Sequence, residues 1–338
     1  MSRKSSRPSD AELRLVAPVS AVDSRHGGSR RAGGLRVCRS PNVRQLAAGK
    51  GVAAGYRVAV GQAAIDPDAF NAFEARGWED KAASYDRFVG DITSRFAEPL
   101  LNAVSAGPGT RLLDLATGPG YVAARAAEHG ASVIGVDVAG AMIALADRLH
   151  PGLDFRQADV QKLPFEAGSF DAVVGNFLIL HLGRPEQAMA GFVRMLRPGG
   201  RLALTTWDVP ERARFLGVFL DAVADAGAPA PNDVPTGPNF FRFSADEEFD
   251  ALMRDHGLEQ RAVKTIAFTH RVANADELWE GLLGGTVRTS ALIERQPDET
   301  RRRIRDSFDR LVHQYQRGAV LELPVSAKLA SGRKPHPD

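Results

Sequence analysis

Between residues 111 and 207, short aliphatic runs alternate with segments whose apolar positions recur at helical spacing. The alternation predicts strands at 111–116, 131–137, 153–158, 171–177 and 201–207, with helices at 121–129, 140–149 and 185–196. Strands separated by helices of this length form a parallel sheet through right-handed crossovers. The runs ASVIGVD and FDAVVG are almost wholly apolar, as expected for strands that helices cover on both faces.

The flanking sequence extends this pattern in both directions. Helices are predicted at 67–75, 78–88 and 91–106 before the first strand and at 212–226 after the fifth, and strands at 258–268 and 320–329. Ser244 and Glu247 have the spacing of a capping box that opens a helix ending at His256. We therefore expect an α/β fold: a Rossmann-like, doubly wound, seven-stranded, mostly parallel sheet with helices on both faces. Two insertions, 210–239 and 274–317, are predicted to form a helical lid over the substrate.

The first 64 residues differ from the rest in composition. Positions 1–58 contain twelve Lys or Arg residues and only three Asp or Glu residues, with few large apolar side chains. Such a segment cannot offset its ordering entropy by burial, so residues 1–64 are predicted to be a disordered basic tail and residues 65–338 the folded domain. The alternatives are a nucleic-acid-binding arm, a targeting segment or an over-extended start. The remaining chain is acidic on balance, which argues against a nucleic-acid substrate.

The bulk composition narrows the class further. Apolar residues make up 44% and charged residues 25% of the chain, which is typical of a soluble globular protein. No apolar run reaches the roughly 18 residues needed to span a membrane. Cys38 is the only cysteine, so no disulfide framework or thiolate metal cluster is expected. The predicted location is the cytoplasm.

The segment LLDLATGPG, residues 112–120, has the pattern of a strand followed by a glycine turn and a helix. Glycines at 118 and 120 let backbone approach a bound nucleotide closely, and the helix N-terminus directs its amides at the ligand. Asp114 lies within the strand itself. A carboxylate there is unsuited to pyrophosphate and favours a ligand with a positively charged end.

Further polar residues occur where the next strands end, and the ends of parallel strands meet at the ligand site of an open α/β sheet. Asp137 is the last residue of the second strand and could accept hydrogen bonds from both ribose hydroxyls. Asp159 follows the third strand, and Asn176 and His181 follow the fourth. Structural alternatives remain at this stage, because Asp137 and Asp159 could be caps and a glycine turn can be a mere connection.

Five motifs occur in order between residues 78 and 207: WEDKAASYD, LLDLATGPG, VIGVDVAGAMI, ADVQKLPFEAGSFDAVV and MLRPGGRLALTTW. In these motifs and their spacing, the chain resembles class I S-adenosylmethionine-dependent methyltransferases. The resemblance is greatest to the small-molecule type 11 group, which includes quinone and menaquinone C-methyltransferases. It is weak between 210 and 318, where the group itself varies.

The resemblance implies S-adenosyl-L-methionine as cofactor, with Asp114 near its methionine end, Asp137 on the ribose and Asp159 at the adenine. The residues implied to bind it are Tyr85, Asp114, Ala116, Gly118, Gly120, Asp137, Met142, Asp159, Val160, Asn176 and Phe177. One departure is Ala116, where the group commonly has glycine.

The implied function is methyl transfer to a small, hydrophobic or aromatic metabolite, because the predicted lid region is aromatic. Its aromatic residues include Trp207, Phe215, Phe219, Phe240, Phe241 and Trp279. His181 is the candidate catalytic base, with a structural role as its alternative, and His270 and His313 are further candidates for the pocket wall. No magnesium-binding set follows the fourth strand.

Two other functions remain open. GPGYVA fits a permissive dinucleotide fingerprint, so an NAD(P)-dependent oxidoreductase is one alternative. The other is a non-catalytic cofactor-binding protein of the same fold. The sequence leaves open the identity of the acceptor, whether carbon, oxygen or nitrogen is methylated, and the oligomeric state.

Overall fold

The computed structural model describes residues 65–337 and, within the N-terminal segment, the backbone of Arg14–Leu15. The predicted disordered tail, residues 1–64, lies outside the described residues except for this dipeptide. The domain boundary near residue 65 therefore stays a prediction.

The described residues form one mixed sheet. Its strands are β1 (Arg14–Leu15), β2 (Arg111–Leu115), β3 (Ser132–Asp137), β4 (Asp154–Gln157), β5 (Phe170–Gly175), β6 (Leu196–Trp207), β7 (Glu259–Val272), β8 (Gln316–Arg317) and β9 (Val320–Arg333). The seven longer strands run in the order β7-β9-β6-β5-β2-β3-β4, and β9 alone among them is antiparallel to its neighbours. The two-residue strands β1 and β8 pair with β7 and β9. The predicted seven-stranded, mostly parallel sheet is confirmed.

Helices cover both faces of the sheet. They are α1 (Pro67–Arg87), α2 (Val89–Ser94), α3 (Ala97–Val104), α4 (Tyr121–Glu128), α5 (Gly140–Leu149), α6 (Pro185–Met195), α7 (Arg214–Asp225), α8 (Asp246–Asp255), α9 (Ala275–Gly285), α10 (Arg288–Glu294) and α11 (Asp298–Val312). Alternate side chains of a strand enter opposite cores, as Leu112 and Leu113 of β2 show. None of the described helices is both long enough and apolar enough to cross a bilayer.

Two helix predictions before β2 were wrong. Helix α1 continues through Gly77 without a break. The glycine allows close packing instead, because a Cβ there would lie 2.4 Å from Cγ1 of Val287. The predicted helix at 91–106 is instead divided into α2 and α3. Thr93 hydrogen-bonds back to the carbonyl groups of the preceding turn, and the Phe96 amide bonds the Thr93 carbonyl at 3.1 Å, three residues back rather than four.

The predicted capping box at Ser244 was also wrong. The Ser244 hydroxyl donates to the Phe241 carbonyl at 2.6 Å, within a 3-10 turn that precedes the helix. Helix α8 begins at Asp246 without a side-chain cap. The carboxylates in its first turn stabilise that end through the helix dipole instead.

The two predicted insertions pack against each other. Phe219 of α7 stacks on Trp279 of α9, with ring centroids 5.4 Å apart, and contacts Phe308 of α11 at 4.6 Å. Helix α9 also packs closely on α2, since a Cβ on Gly285 would lie 2.5 Å from Cγ2 of Val89. These contacts join the two insertions to each other and, through α9, to the N-terminal helix α2. The role of the insertions as a lid stays a prediction.

Candidate active site

A cavity of about 340 Å³ lies at the carboxyl ends of the parallel strands, where α1 and the start of α10 cover it. The strand order reverses between β5 and β2, so this is the switch point of the sheet. The lining includes ten of the twelve predicted site residues: Tyr85, Ala116, Gly118, Asp137, Met142, Asp159, Val160, Asn176, Phe177 and His181.

Asp114 and Gly120 lie behind the turn and outside the cavity lining. The Asp114 carboxylate accepts a 2.6 Å hydrogen bond from the Thr117 hydroxyl, and burial raises its pKa to about 7. At Gly120, φ is +84° and a Cβ would lie 2.7 Å from the Phe155 ring. In this structure both residues shape the turn from behind.

The turn after β2 has left-handed backbone at Ala116 and Gly118, in addition to Gly120. Ala116 has φ of +51° and Gly118 has φ of +54°. This conformation costs an alanine on the order of 1 kcal/mol, which explains why glycine suits position 116. A Cβ added to Gly118 would meet no heavy atom within 4 Å. The open side of this glycine therefore leaves room for a ligand against the backbone.

Asp137 connects the turn to the end of β3. Its Oδ2 accepts from the Gly118 amide at 3.0 Å, and its Oδ1 accepts from the Ala139 amide at 2.9 Å. Burial raises its pKa to about 6, although the backbone hydrogen bonds favour the charged form. Each carboxylate oxygen can accept a second hydrogen bond, so this bracing of the backbone is compatible with a contact to a ligand.

One wall next to Asp137 is apolar and has a carboxylate at its edge. Met142 is buried, whereas Val138 is 40% exposed and lines the cavity. Asp159 accepts from the Gln161 amide at 2.9 Å, so it also caps a short 3-10 turn. This wall could hold a flat heterocycle with a hydrogen-bond donor at its rim.

Hydrogen bonds join the end of β5 to the N-terminal helices. The Asn176 side chain donates to the Thr93 carbonyl at 3.0 Å and accepts from the Thr205 hydroxyl at 2.7 Å. The Tyr85 hydroxyl lies 2.8 Å from Oγ1 of Thr93, and burial raises the Tyr85 pKa to about 12. Phe177 stacks on Trp207 with centroids 3.7 Å apart, forming an aromatic surface of the cavity.

His181 forms a pair with a buried carboxylate that the sequence reasoning missed. Its Nδ1 lies 3.0 Å from Oε2 of Glu74, and Nε1 of Trp78 donates to the same oxygen at 3.1 Å. The Trp78 ring also packs edge-on against the imidazole at 5.1 Å. With Nδ1–H donating to the carboxylate, Nε2 is left to accept a proton. The other carboxylate oxygen, Oε1, is buried and has no hydrogen-bond partner among the described residues.

The remaining predicted pocket residues divide between the cavity and the core. Trp207, Phe215 and Phe240 line the cavity, whereas Phe219 and Trp279 pack between the lid helices. Neither further histidine contributes to the lining. His270 packs edge-on against Phe88, and His313 is exposed.

Comparisons with known protein families and with curated proteins both match methyltransferases. The family described as "Methyltransferase domain" matches residues 113–204. A demethylmenaquinone methyltransferase of Renibacterium salmoninarum is 30% identical over 174 residues, which cover 50% of this chain and 73% of the relative. One from Streptomyces avermitilis is 29% identical over 62% of this chain and 89% of the relative.

Among solved structures, a phosphoethanolamine N-methyltransferase 2 of Haemonchus contortus, in complex with S-adenosylhomocysteine, has a TM-score of 0.46 to this chain. Its sequence identity is 18%, and the alignment covers 79% of this chain and 60% of that one.

Proposed function

This chain belongs to the class I S-adenosylmethionine-dependent methyltransferases, and we propose that it methylates a small apolar or aromatic acceptor. The observation that carries the proposal is a single cavity with two kinds of wall. One wall has the glycine turn and two carboxylates at successive strand ends, and the other is aromatic and bears the His181–Glu74 pair.

The residues of the first wall suit S-adenosylmethionine. The open side of Gly118 admits a ligand against the backbone, and Asp137 and Asp159 have oxygen atoms for ribose and adenine donors. Met142 and Val138 provide an apolar surface for the adenine ring. When bound, this cofactor supplies a methyl group already activated by a sulfonium. The protein then contributes mainly proximity and orientation, which can be worth about 7–11 kcal/mol.

The second wall supports an apolar acceptor. Phe177, Trp207, Phe215 and Phe240 offer flat or edge-on aromatic surface to a ring. The relatives from Renibacterium and Streptomyces are named for demethylmenaquinone, whose aromatic nucleus would suit such a wall. A naphthoquinol-type acceptor is therefore the first class to test.

We assign to His181 the role of general base and to Glu74 that of a positioning residue. Nε2 of His181 would take the proton that the acceptor releases as it is methylated. The Glu74 carboxylate holds the ring through Nδ1 and stabilises the imidazolium that results. The Trp78 indole fixes the carboxylate in turn, so the base is held in one orientation.

Ligand binding and methyl transfer together test this function. We expect S-adenosylhomocysteine, but not NADH, to raise the melting temperature of the full chain. Label from methyl-labelled S-adenosylmethionine should appear in 1,4-naphthoquinol, and His181→Gln should lose this transfer while His313→Gln, an exposed control, retains it. Stabilisation by NADH alone would favour the oxidoreductase alternative. Cofactor binding without transfer to naphthoquinol would contradict the proposed acceptor class.

A further inference from the structure

Arg288 brings a positive charge to the acceptor side of the cavity. It is the first residue of α10, and its guanidinium lies over the rings of Phe70 and Phe240, 5.1 Å from each centroid. It donates to the carbonyls of Leu180 and Pro238, at 3.4 and 3.0 Å. A guanidinium has five N–H donors, so these contacts orient the group and leave donors for a ligand.

The charge of Arg288 is not neutralised by a carboxylate within ion-pair distance among the described residues. Most of the other lid arginines have a carboxylate partner; Arg302 and Arg317, the two of them among the described residues that have none, do not line the cavity. Arg295, which follows α10, pairs with Asp233 at 2.8 Å, and four arginines of α11 also have carboxylate partners: Arg301, Arg303, Arg305 and Arg310. None of these paired arginines lines the cavity, whereas Arg288 does.

Arg288 and the proposed base are neighbours around one ring. The Phe240 ring is 6.2 Å from the His181 ring and 5.1 Å from the Arg288 guanidinium. The carbonyl that Arg288 bonds belongs to Leu180, which immediately precedes His181 in the chain. A ligand group that reaches Arg288 therefore lies beside the groups that would remove the proton.

We infer that Arg288 binds a carboxylate of the methyl acceptor, so that an aromatic or apolar acid is bound in preference to its neutral counterpart. The inference rests on the proposed function. A planar carboxylate matches the guanidinium fork and would supply the missing counter-charge. The rings of Phe70 and Phe240 would hold the Arg288 guanidinium in place while the carboxylate binds.

A matched acid and amide test this assignment. The probes are 1-hydroxy-2-naphthoate and its neutral amide, titrated calorimetrically into the full chain saturated with S-adenosylhomocysteine. We expect the acid to bind about tenfold more tightly than the amide, a preference that about 1.4 kcal/mol would give. Arg288→Met should remove the preference and Arg288→Lys should keep part of it. Arg295→Met, whose ion pair is outside the cavity, should leave the preference unchanged.

The outcomes separate this inference from the proposed function. Failure of S-adenosylhomocysteine to bind would overturn the proposed function itself. Normal cofactor binding with equal affinities for acid and amide, or with no binding of the acid, would overturn only the role of Arg288. If Arg288 were merely structural, Arg288→Met would lower the affinity for both probes equally and leave the ratio of the two affinities unchanged. Because the ratio in the unaltered chain is itself a test, the result stands even if Arg288→Met fails to fold.

Discussion

Acidification should weaken cofactor binding, because the pKa of Asp137 lies within reach of ordinary assay conditions. Burial raises that pKa to about 6, against the effect of the backbone amides that the carboxylate accepts from. An ionised Asp137 can accept from the ribose hydroxyls, whereas a protonated one has lost acceptor capacity. Ligand and proton therefore compete for Asp137. The affinity for S-adenosylhomocysteine should be greatest well above pH 6 and should fall as the pH drops through 6.

The size of the effect follows from this pKa. If only the ionised form binds, association falls about tenfold between pH ~8 and pH ~5, equivalent to about 1.4 kcal/mol. Asp137→Asn removes the titrating group and with it a charged hydrogen-bond acceptor. The variant should therefore bind about 1.5–3 kcal/mol more weakly at high pH, as expected for the loss of such a bond.

Calorimetric titration of S-adenosylhomocysteine at both pH values, with unaltered chain and Asp137→Asn, measures this directly. Asp114 also titrates, since burial raises its pKa to about 7, but it is present in both proteins. The difference between the two pH profiles therefore reports chiefly on Asp137, because the Asp137 charge is the smallest of the effects on the Asp114 pKa. Identical pH dependence in the two proteins would refute the assignment of this carboxylate to the cofactor.

Four further substitutions probe the turn, the base with its carboxylate partner, and the lid. Gly118→Ala forces alanine into φ of +54° and projects a methyl group into the cavity, so the Kd for S-adenosylhomocysteine should rise about tenfold; an unchanged Kd by calorimetry contradicts this. His181→Gln should lower kcat about 10²- to 10⁴-fold and Glu74→Gln less, with cofactor affinity unchanged in both. An equal or larger loss in the Glu74 variant argues against its acting through the imidazole. Gly285→Ala would place a Cβ 2.5 Å from Val89, which should cost about 1–3 kcal/mol of unfolding free energy; an unaltered denaturant midpoint rules this out.

The sheet and most of the cavity could be predicted because both leave local signals in the sequence. Buried parallel strands are continuous apolar runs, and the residues that end them lie at one edge of the sheet. Asp137 and Asp159 follow this rule, and both line the cavity. The departure at Ala116 was also visible in the sequence, and the positive φ there explains why glycine suits that position better than alanine.

The failures involve residues whose role depends on distant parts of the chain. The sequence around Gly77 has the local pattern of a helix break, yet the position requires a glycine because Val287 packs against it. Glu74 matters only because the turn after β5 brings His181 to within 3.0 Å, and Arg288 only because the lid returns to the cavity. Neither contact has a signature in the neighbouring sequence. The i, i+4 spacing of Glu74 and Trp78 was the one available hint, and it requires the continuous helix α1 to be meaningful.

A crystal structure of the full chain with S-adenosylhomocysteine tests the central claim most directly. We expect the ligand in the cavity at the strand ends, against the open side of Gly118. Its ribose hydroxyls should lie within hydrogen-bond distance of Asp137, its adenine beside Asp159 and Met142, and its sulfur toward the aromatic wall that carries His181. A ligand bound elsewhere, or with its ribose beyond contact of Asp137, would contradict the account.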